Sequence, residues 1–152
     1  MNDYRIRQAT EADIFAMSTV RLAVTENRLR DPTRITYDMY VDYLEKLGRS
    51  WVCEVDGKVA GFGCANKDES FIWALFVDPA CEGRGIGKRL LQEMNAYLFA
   101  LGHDKITLST GAATRADAFY AAQGWERSEK EGDSDVYYAL HKPQGNRDVH
   151  IA

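Results

Sequence analysis

The sequence predicts an α/β fold, one mixed β-sheet with helices on both faces, in the order β-α-α-β-β-β-α-β-α-β-β. Three observations carry this. Residues 71–77, Phe-Ile-Trp-Ala-Leu-Phe-Val, form a nearly continuous apolar run, as expected of a central strand covered on both sides. Alternating apolar positions flank Asp56-Gly57, a strong hairpin signal. A glycine-rich stretch after the apolar run opens a helix whose Ile86, Leu90, Met94, Tyr97 and Leu101 make one buried stripe.

The remaining elements follow in order. Residues 4–7 read as a short strand ended at Gln8-Ala9. Thr10 and Asp13 have capping-box spacing, and Ile14, Met17, Val20 and Val24 then recur at helical spacing to about Asn27. Residues 29–34, holding Asp31-Pro32, form a loop. A second helix starts at Thr36, with Tyr40, Leu44 and Leu47 on one face and Gly48 as its stop. Trp51, Cys53 and Val55 alternate with polar positions before the hairpin turn. Residues 59–65 return, 67–70 turn again, and Pro79 ends the central run. Gly102 caps the long helix, 106–109 form a buried strand, and 114–123 form a helix stopped by Gly124. Residues 125–127 and 136–141 pair around Gly132-Asp133. One domain is expected over residues 1–141, followed by a polar tail at 142–152.

Composition narrows the function. At 152 residues, 45% apolar and 28% charged, the chain is long enough to bury one sizeable core. Its net charge of −4, with no large basic cluster, argues against nucleic acid or an anionic membrane surface as partner. Residues 1–8 are too polar for a secretory signal, and no apolar run approaches the ~20 residues of a membrane span. Cys53, Cys64 and Cys81 show no paired ligand spacing and read as free thiols, so a cytoplasmic location and no metal are expected.

The chemistry concentrates between Val77 and Leu91. A strand runs through a short loop with Gly83, Gly85 and Gly87 into an amphipathic helix. Unpaired N–H groups and the positive dipole end at a helix start make an anion site. Glycine lets the backbone approach a phosphate without Cβ interference, and Arg84 and Lys88 add cations. The pattern lacks the spacing and downstream acid of a dinucleotide fingerprint, and the Gly-Lys-Ser/Thr ending of a P-loop. By itself it also fits a tight strand-to-helix turn.

In context it resembles the signature of the GNAT superfamily of acetyl-CoA-dependent N-acetyltransferases. That signature is Gln or Arg, two residues, Gly, any residue, then Gly or Ala, and here it reads Glu82-Gly83-Arg84-Gly85-Ile86-Gly87. A second stretch, Thr114-Arg115-Ala116-Asp117-Ala118-Phe119-Tyr120-Ala121-Ala122-Gln123-Gly124-Trp125, is similar to the family's helix with Ala, an apolar-Tyr pair, then Gly and an aromatic. The resemblance covers residues 4–141. It implies acetyl transfer from acetyl-CoA, as co-substrate, to an amine of a small molecule or a protein. It implies that backbone groups of Leu75, Phe76 and Val77 meet the pantetheine arm. Gly83, Arg84, Gly85, Ile86, Gly87 and Lys88 would wrap the pyrophosphate, and Tyr120, beside Phe119, would lie near the thioester sulfur. It also implies a splay between the central strand and the strand at 106–109.

Some positions depart from the family. Glu82 cannot donate to phosphate. Ala113 stands where many relatives have a cofactor-binding Asn, and Thr110 or Thr114 can supply a substitute hydroxyl. Leu108 occupies the place of a catalytic Glu in some relatives. Glu26, near where the family admits its acceptor, is a candidate base against the plainer reading of a solvated helix end, and a water relay can serve instead. Trp73 is a candidate for the acceptor pocket against a core role, and Tyr120 has a core alternative too. His103, His141 and His150 read as surface residues. Two rivals stay open: an acyl-CoA sensor without turnover, and a protein-modifying acetyltransferase. A homodimer is compatible with the sequence.

Overall fold

The computed structural model describes residues 4–24 and 35–143. Seven strands form one sheet in the order β1-β2-β3-β4-β5-β7-β6. They are β1 (Tyr4–Gln8), β2 (Gly48–Val55), β3 (Lys58–Asn66), β4 (Phe71–Val77), β5 (Lys105–Gly111), β6 (Glu126–Glu129) and β7 (Asp135–His141). Only β4 and β5 run parallel. The helices are α1 (Ile14–Ala23), α2 (Tyr37–Asp42), α3 (Ile86–Ala100) and α4 (Arg115–Ala122). Short 3₁₀ turns occur at Glu11–Asp13 and Pro79–Cys81.

The apolar residues divide between the two faces. Ile86, Leu90, Met94 and Leu98 of α3 pack with Ile72, Ile106, Tyr120 and Trp125. Ile14, Met17 and Val20 of α1 and Tyr40 of α2 pack on the other face with Val52, Phe62, Cys64 and Ala74. Burial pushes the Cys53 thiol up to about 11 and the Cys64 thiol up to about 12, so neither supplies thiolate near neutral pH.

The central strand and its hairpin match the expected elements, while the two early helices are shorter. Val24 is extended (ψ 116°), so α1 ends before Asn27. The Thr36 hydroxyl caps α2 by accepting the Met39 N–H, but the helix stops at Asp42 and leaves Leu44 and Leu47 in a turn. Gly48 is not a helix stop. It lies in β2 opposite Asn66, where an added Cβ would sit 1.7 Å from the Ala65 carbonyl oxygen. The glycine signal there reports close backbone approach rather than a turn.

Two features of β4 position the site. Its register against β3 jumps from Cys64↔Ala74 to Ala65↔Ile72, leaving Trp73 as the extra residue of a bulge. Trp73 and Ala74 therefore both join the α1/α2 side, while Ile72 and Leu75 join the α3 side. On its other edge β4 registers with β5 only at Phe71↔Thr107. Beyond that pair the strands diverge, which leaves β5-facing backbone groups of β4 without a strand partner.

Candidate active site

The divergence opens a cleft of about 890 Å³. Residues of both packing faces line it, so it passes through the sheet. Leu75, Phe76 and Val77 of β4 form one wall, with Ser109, Thr110 and Gly111 of β5 opposite. Gly83, Gly85, Ile86, Gly87 and Lys88 close one end. Thr114, Phe119 and Tyr120 line it from α4, and Arg21, Met39, Tyr40 and Trp73 from the α1/α2 side. Of the residues expected to meet the cofactor, only Arg84 is absent from this lining. It is exposed to solvent. Glu26 lies outside the described residues, just past α1, and His150 also lies outside them.

The loop is shaped by φ values that side chains avoid. Gly83 has φ 85° and Gly85 has φ 81°, and Gly85 is the N-cap of α3. Gly83 has nothing within 4 Å of an added Cβ, so its glycine requirement lies in the backbone conformation. The first turn of α3, whose amides no helical carbonyl can reach, lines the cleft at Ile86, Gly87 and Lys88. Free amides at a helix start beside a lysine are what a pyrophosphate requires, and a strand edge without a partner strand is what an amide-rich arm requires. The residues present fit coenzyme A.

Glu82 acquires a partner that its sequence position did not suggest. Its carboxylate accepts from Arg115 of α4, and both side chains line the cleft. Arg115 is 67% and Glu82 32% exposed, so the pair contributes little to stability. A carboxylate there would still repel a phosphate bound at the loop. Glu82→Gln should leave coenzyme A affinity unchanged or tighten it and weaken its salt dependence, as read by calorimetry at two ionic strengths. A clear loss of affinity would contradict this reading.

Tyr120 is 5% exposed and its ring packs against Phe119, Trp125 and Tyr138. It is thus a core residue and a cleft residue at once. Burial pushes its phenol well above the usual value, which keeps the hydroxyl protonated. Thr114 lines the cleft, but its hydroxyl donates to the Gly111 carbonyl at 2.7 Å and accepts the Asp117 N–H at 3.2 Å. Its cap of α4 thus occupies the donor expected for the cofactor. His103 lies away from the cleft and contacts the Lys67 carbonyl at 2.5 Å through Nε2.

Asp117 holds α4 in place. Its carboxylate takes Arg127 Nε at 2.9 Å and Nη2 at 3.0 Å, the Tyr138 hydroxyl at 2.5 Å and the Ala113 N–H at 2.8 Å. The last contact steadies Ala113 at φ 61°, in the turn that feeds α4. The Arg127 guanidinium, then the Tyr138 hydroxyl, hold the carboxyl well below the usual range. A depressed folded pKa means that the contribution is complete above about pH 5, begins to fade near about pH 4 and is lost as pH falls on through the lower folded value. Asp117→Asn should therefore lose about 1–3 kcal/mol at neutral pH and show a shallower loss on acidification, as urea melts at both pH values would record. The spacing Thr114-x-x-Asp117 is a capping-box signal that could have flagged this residue. Nothing local in the sequence links Asp117 to Arg127.

A model of the Acetyltransferase (GNAT) family matches residues 16–125. The chain is 33% identical over 89 residues to an uncharacterized N-acetyltransferase of Methanocaldococcus jannaschii, spanning 52% of this chain and 39% of that protein. It is 30% identical over 129 residues to the peptidyl-lysine N-acetyltransferase YiaC of Escherichia coli, covering 79% of this chain and 82% of YiaC. The PaiA N-acetyltransferase of Thermoplasma acidophilum, solved with coenzyme A, superposes with TM-score 0.79 at 15% identity over 93% of this chain and all of its own. YncA of Salmonella typhimurium, a putative acetyltransferase solved with acetyl-CoA, gives 0.72 at 20% identity over 94% and 96%. The chain belongs to the GNAT family of acetyltransferases. Among the described residues no helix is long and apolar enough to cross a membrane, and no group of three or more His, Cys, Asp or Glu gathers as a metal site.

Proposed function

We propose that the protein transfers an acetyl group from acetyl-CoA to an amine by direct attack. One observation carries this reading: the cleft through the sheet brings the glycine loop, the divergent β4 edge and Tyr120 together. The thioester supplies an activated acyl carbon. Backbone amides of Gly83, Gly85 and Gly87, with Lys88, hold the pyrophosphate, and Arg84 adds charge from the solvent side. Backbone groups of Leu75, Phe76 and Val77 align the pantetheine arm and stabilise the oxyanion. Ile86 and Phe119 pack along the bound cofactor, with Thr114 at the foot of α4. The Tyr120 hydroxyl donates to the departing sulfur.

The amine arrives from the α1/α2 side, where Trp73 lines the cleft. Glu26 is the proposed base, alone or through a water relay. Arg21 of α1 and Val24, the residue that ends it, line the cleft, and Glu26 follows two residues later in the chain. YiaC, whose name assigns it peptidyl lysine, supports a protein lysine as a second acceptor class. Release of coenzyme A with a panel of amines tests the reading. Turnover that rises with one class of amine supports it, while cofactor binding with no amine-dependent release favours a sensor.

A further inference from the structure

Beyond the cofactor, the α1/α2 end of the cleft has a chemistry of its own. Arg21, 5% exposed, lines it from the face of α1 that otherwise carries Met17 and Val20. Tyr40 of α2, 2% exposed, lines the same end. The Tyr40 ring is held edge-on by Phe62 at 6.0 Å and Trp73 at 5.8 Å, and Trp73 stacks on Tyr43 at 4.2 Å. Its hydroxyl lies near Arg21 and Ser18, yet among the described residues it is buried without a well-formed hydrogen bond. A buried hydroxyl at the wall of a binding cleft is costly to leave unpaired, so it marks where a ligand atom belongs.

We propose that the acceptor carries a carboxylate close to its amine, held by the Arg21 guanidinium and the Tyr40 hydroxyl. The inference rests on the acetyltransfer reading above and names the substrate class for that site. A guanidinium presents five N–H donors in a planar fork, so Arg21 can keep its other contacts and still offer donors to a carboxylate. The phenol adds one more donor from a different direction. The other described residues at this end, Val24, Ile35, Met39 and Trp73, are apolar, so the bound anion has no competing carboxylate among them. An acceptor anchored there extends along the cleft toward the divergent strands. The aromatic and aliphatic walls point to an amino acid with an apolar side chain.

The experiment compares L-amino acids with their carboxamides, their decarboxylated amines and a lysine-containing peptide as acceptors. At least one amino acid should be acetylated with kcat/KM ten or more times that of its carboxamide. Arg21→Gln should remove that preference. Tyr40→Phe, which keeps the packed ring, should narrow it severalfold with melting unchanged. Equal use of acids and amides, or acetylation of peptide lysine while free amino acids stay untouched, overturns the proposal. So does a preference that both variants retain. If no amine is turned over, the transferase reading fails. Calorimetry on the coenzyme A complex with N-acetylphenylalanine and its carboxamide then decides the inference separately. Preferential binding of the acid, lost in Arg21→Gln, supports it, and equal or absent binding overturns it.

Discussion

Tyr120→Phe is expected to lower the single-turnover rate of acetyl transfer by ~10²–10⁴-fold while leaving melting and coenzyme A affinity nearly unchanged. The substitution removes one hydroxyl and keeps a ring packed against Phe119, Trp125 and Tyr138. Burial raises the phenol above its usual value, so it is a weaker acid than a solvated tyrosine. Hydrogen-bond donation to the developing thiolate then outweighs full proton transfer, and the loss should fall toward the lower end of that range. The ratio of wild-type to variant rates should also stay flat between about pH 6 and 9, because the hydroxyl does not ionise there. Single-turnover measurement is needed, since slow product release would mask the chemical step. A purely structural Tyr120 makes the opposite forecast: a small shift in melting and a wild-type rate.

Gly85→Val should weaken coenzyme A binding at least tenfold, about 1.4 kcal/mol, in a calorimetric titration. Two effects act together. Gly85 sits at φ 81°, where a side chain costs about 1–2 kcal/mol and a β-branched one more, so the N-cap of α3 is strained even without ligand. The nearest atom to an added Cβ is the Tyr4 hydroxyl at 3.8 Å, so the protein has room for the new side chain. The branched group then stands against the pyrophosphate. Urea melts separate the contributions: strain appears in the free protein, and obstruction appears only in its affinity for ligand. A folded variant with wild-type affinity would remove the loop from the cofactor site.

Much of this protein was legible in its residues because local rules governed them. The apolar run at Phe71–Val77 was a central strand because a segment buried on both faces cannot alternate. Asp56-Gly57 turned as read, with φ 52° and 79°, because few other pairs tolerate that conformation. The glycines before α3 announced a left-handed turn, which Gly83 and Gly85 adopt at φ 85° and 81°. The ends of α1 and α2 were misread because the apolar periodicity continues past them. Leu44 and Leu47 pack against the sheet from a turn, and burial alone does not distinguish a turn from a helix.

What lay beyond the sequence was every feature that depends on strands separate in the chain. The divergence of β4 from β5 comes from pairing that stops after Phe71↔Thr107, and no residue spells that out. The bulge at Trp73 exists only in register with Cys64 and Ala65, and it carries the indole to the α1/α2 side. Arg115 meets Glu82, and Arg127 meets Asp117, across folds of the sheet. Arg21 carried a faint signal, a charge on the apolar face of a helix four residues after Met17. The role proposed for it became readable only once Tyr40, from another helix, lined the same cleft. Sequence therefore determined the fold class and the family, because these rest on local backbone conformation and on motifs contiguous in the chain. Tertiary structure decided how the α1/α2 end of the cleft is built, because that end is assembled from side chains whose proximity only packing creates.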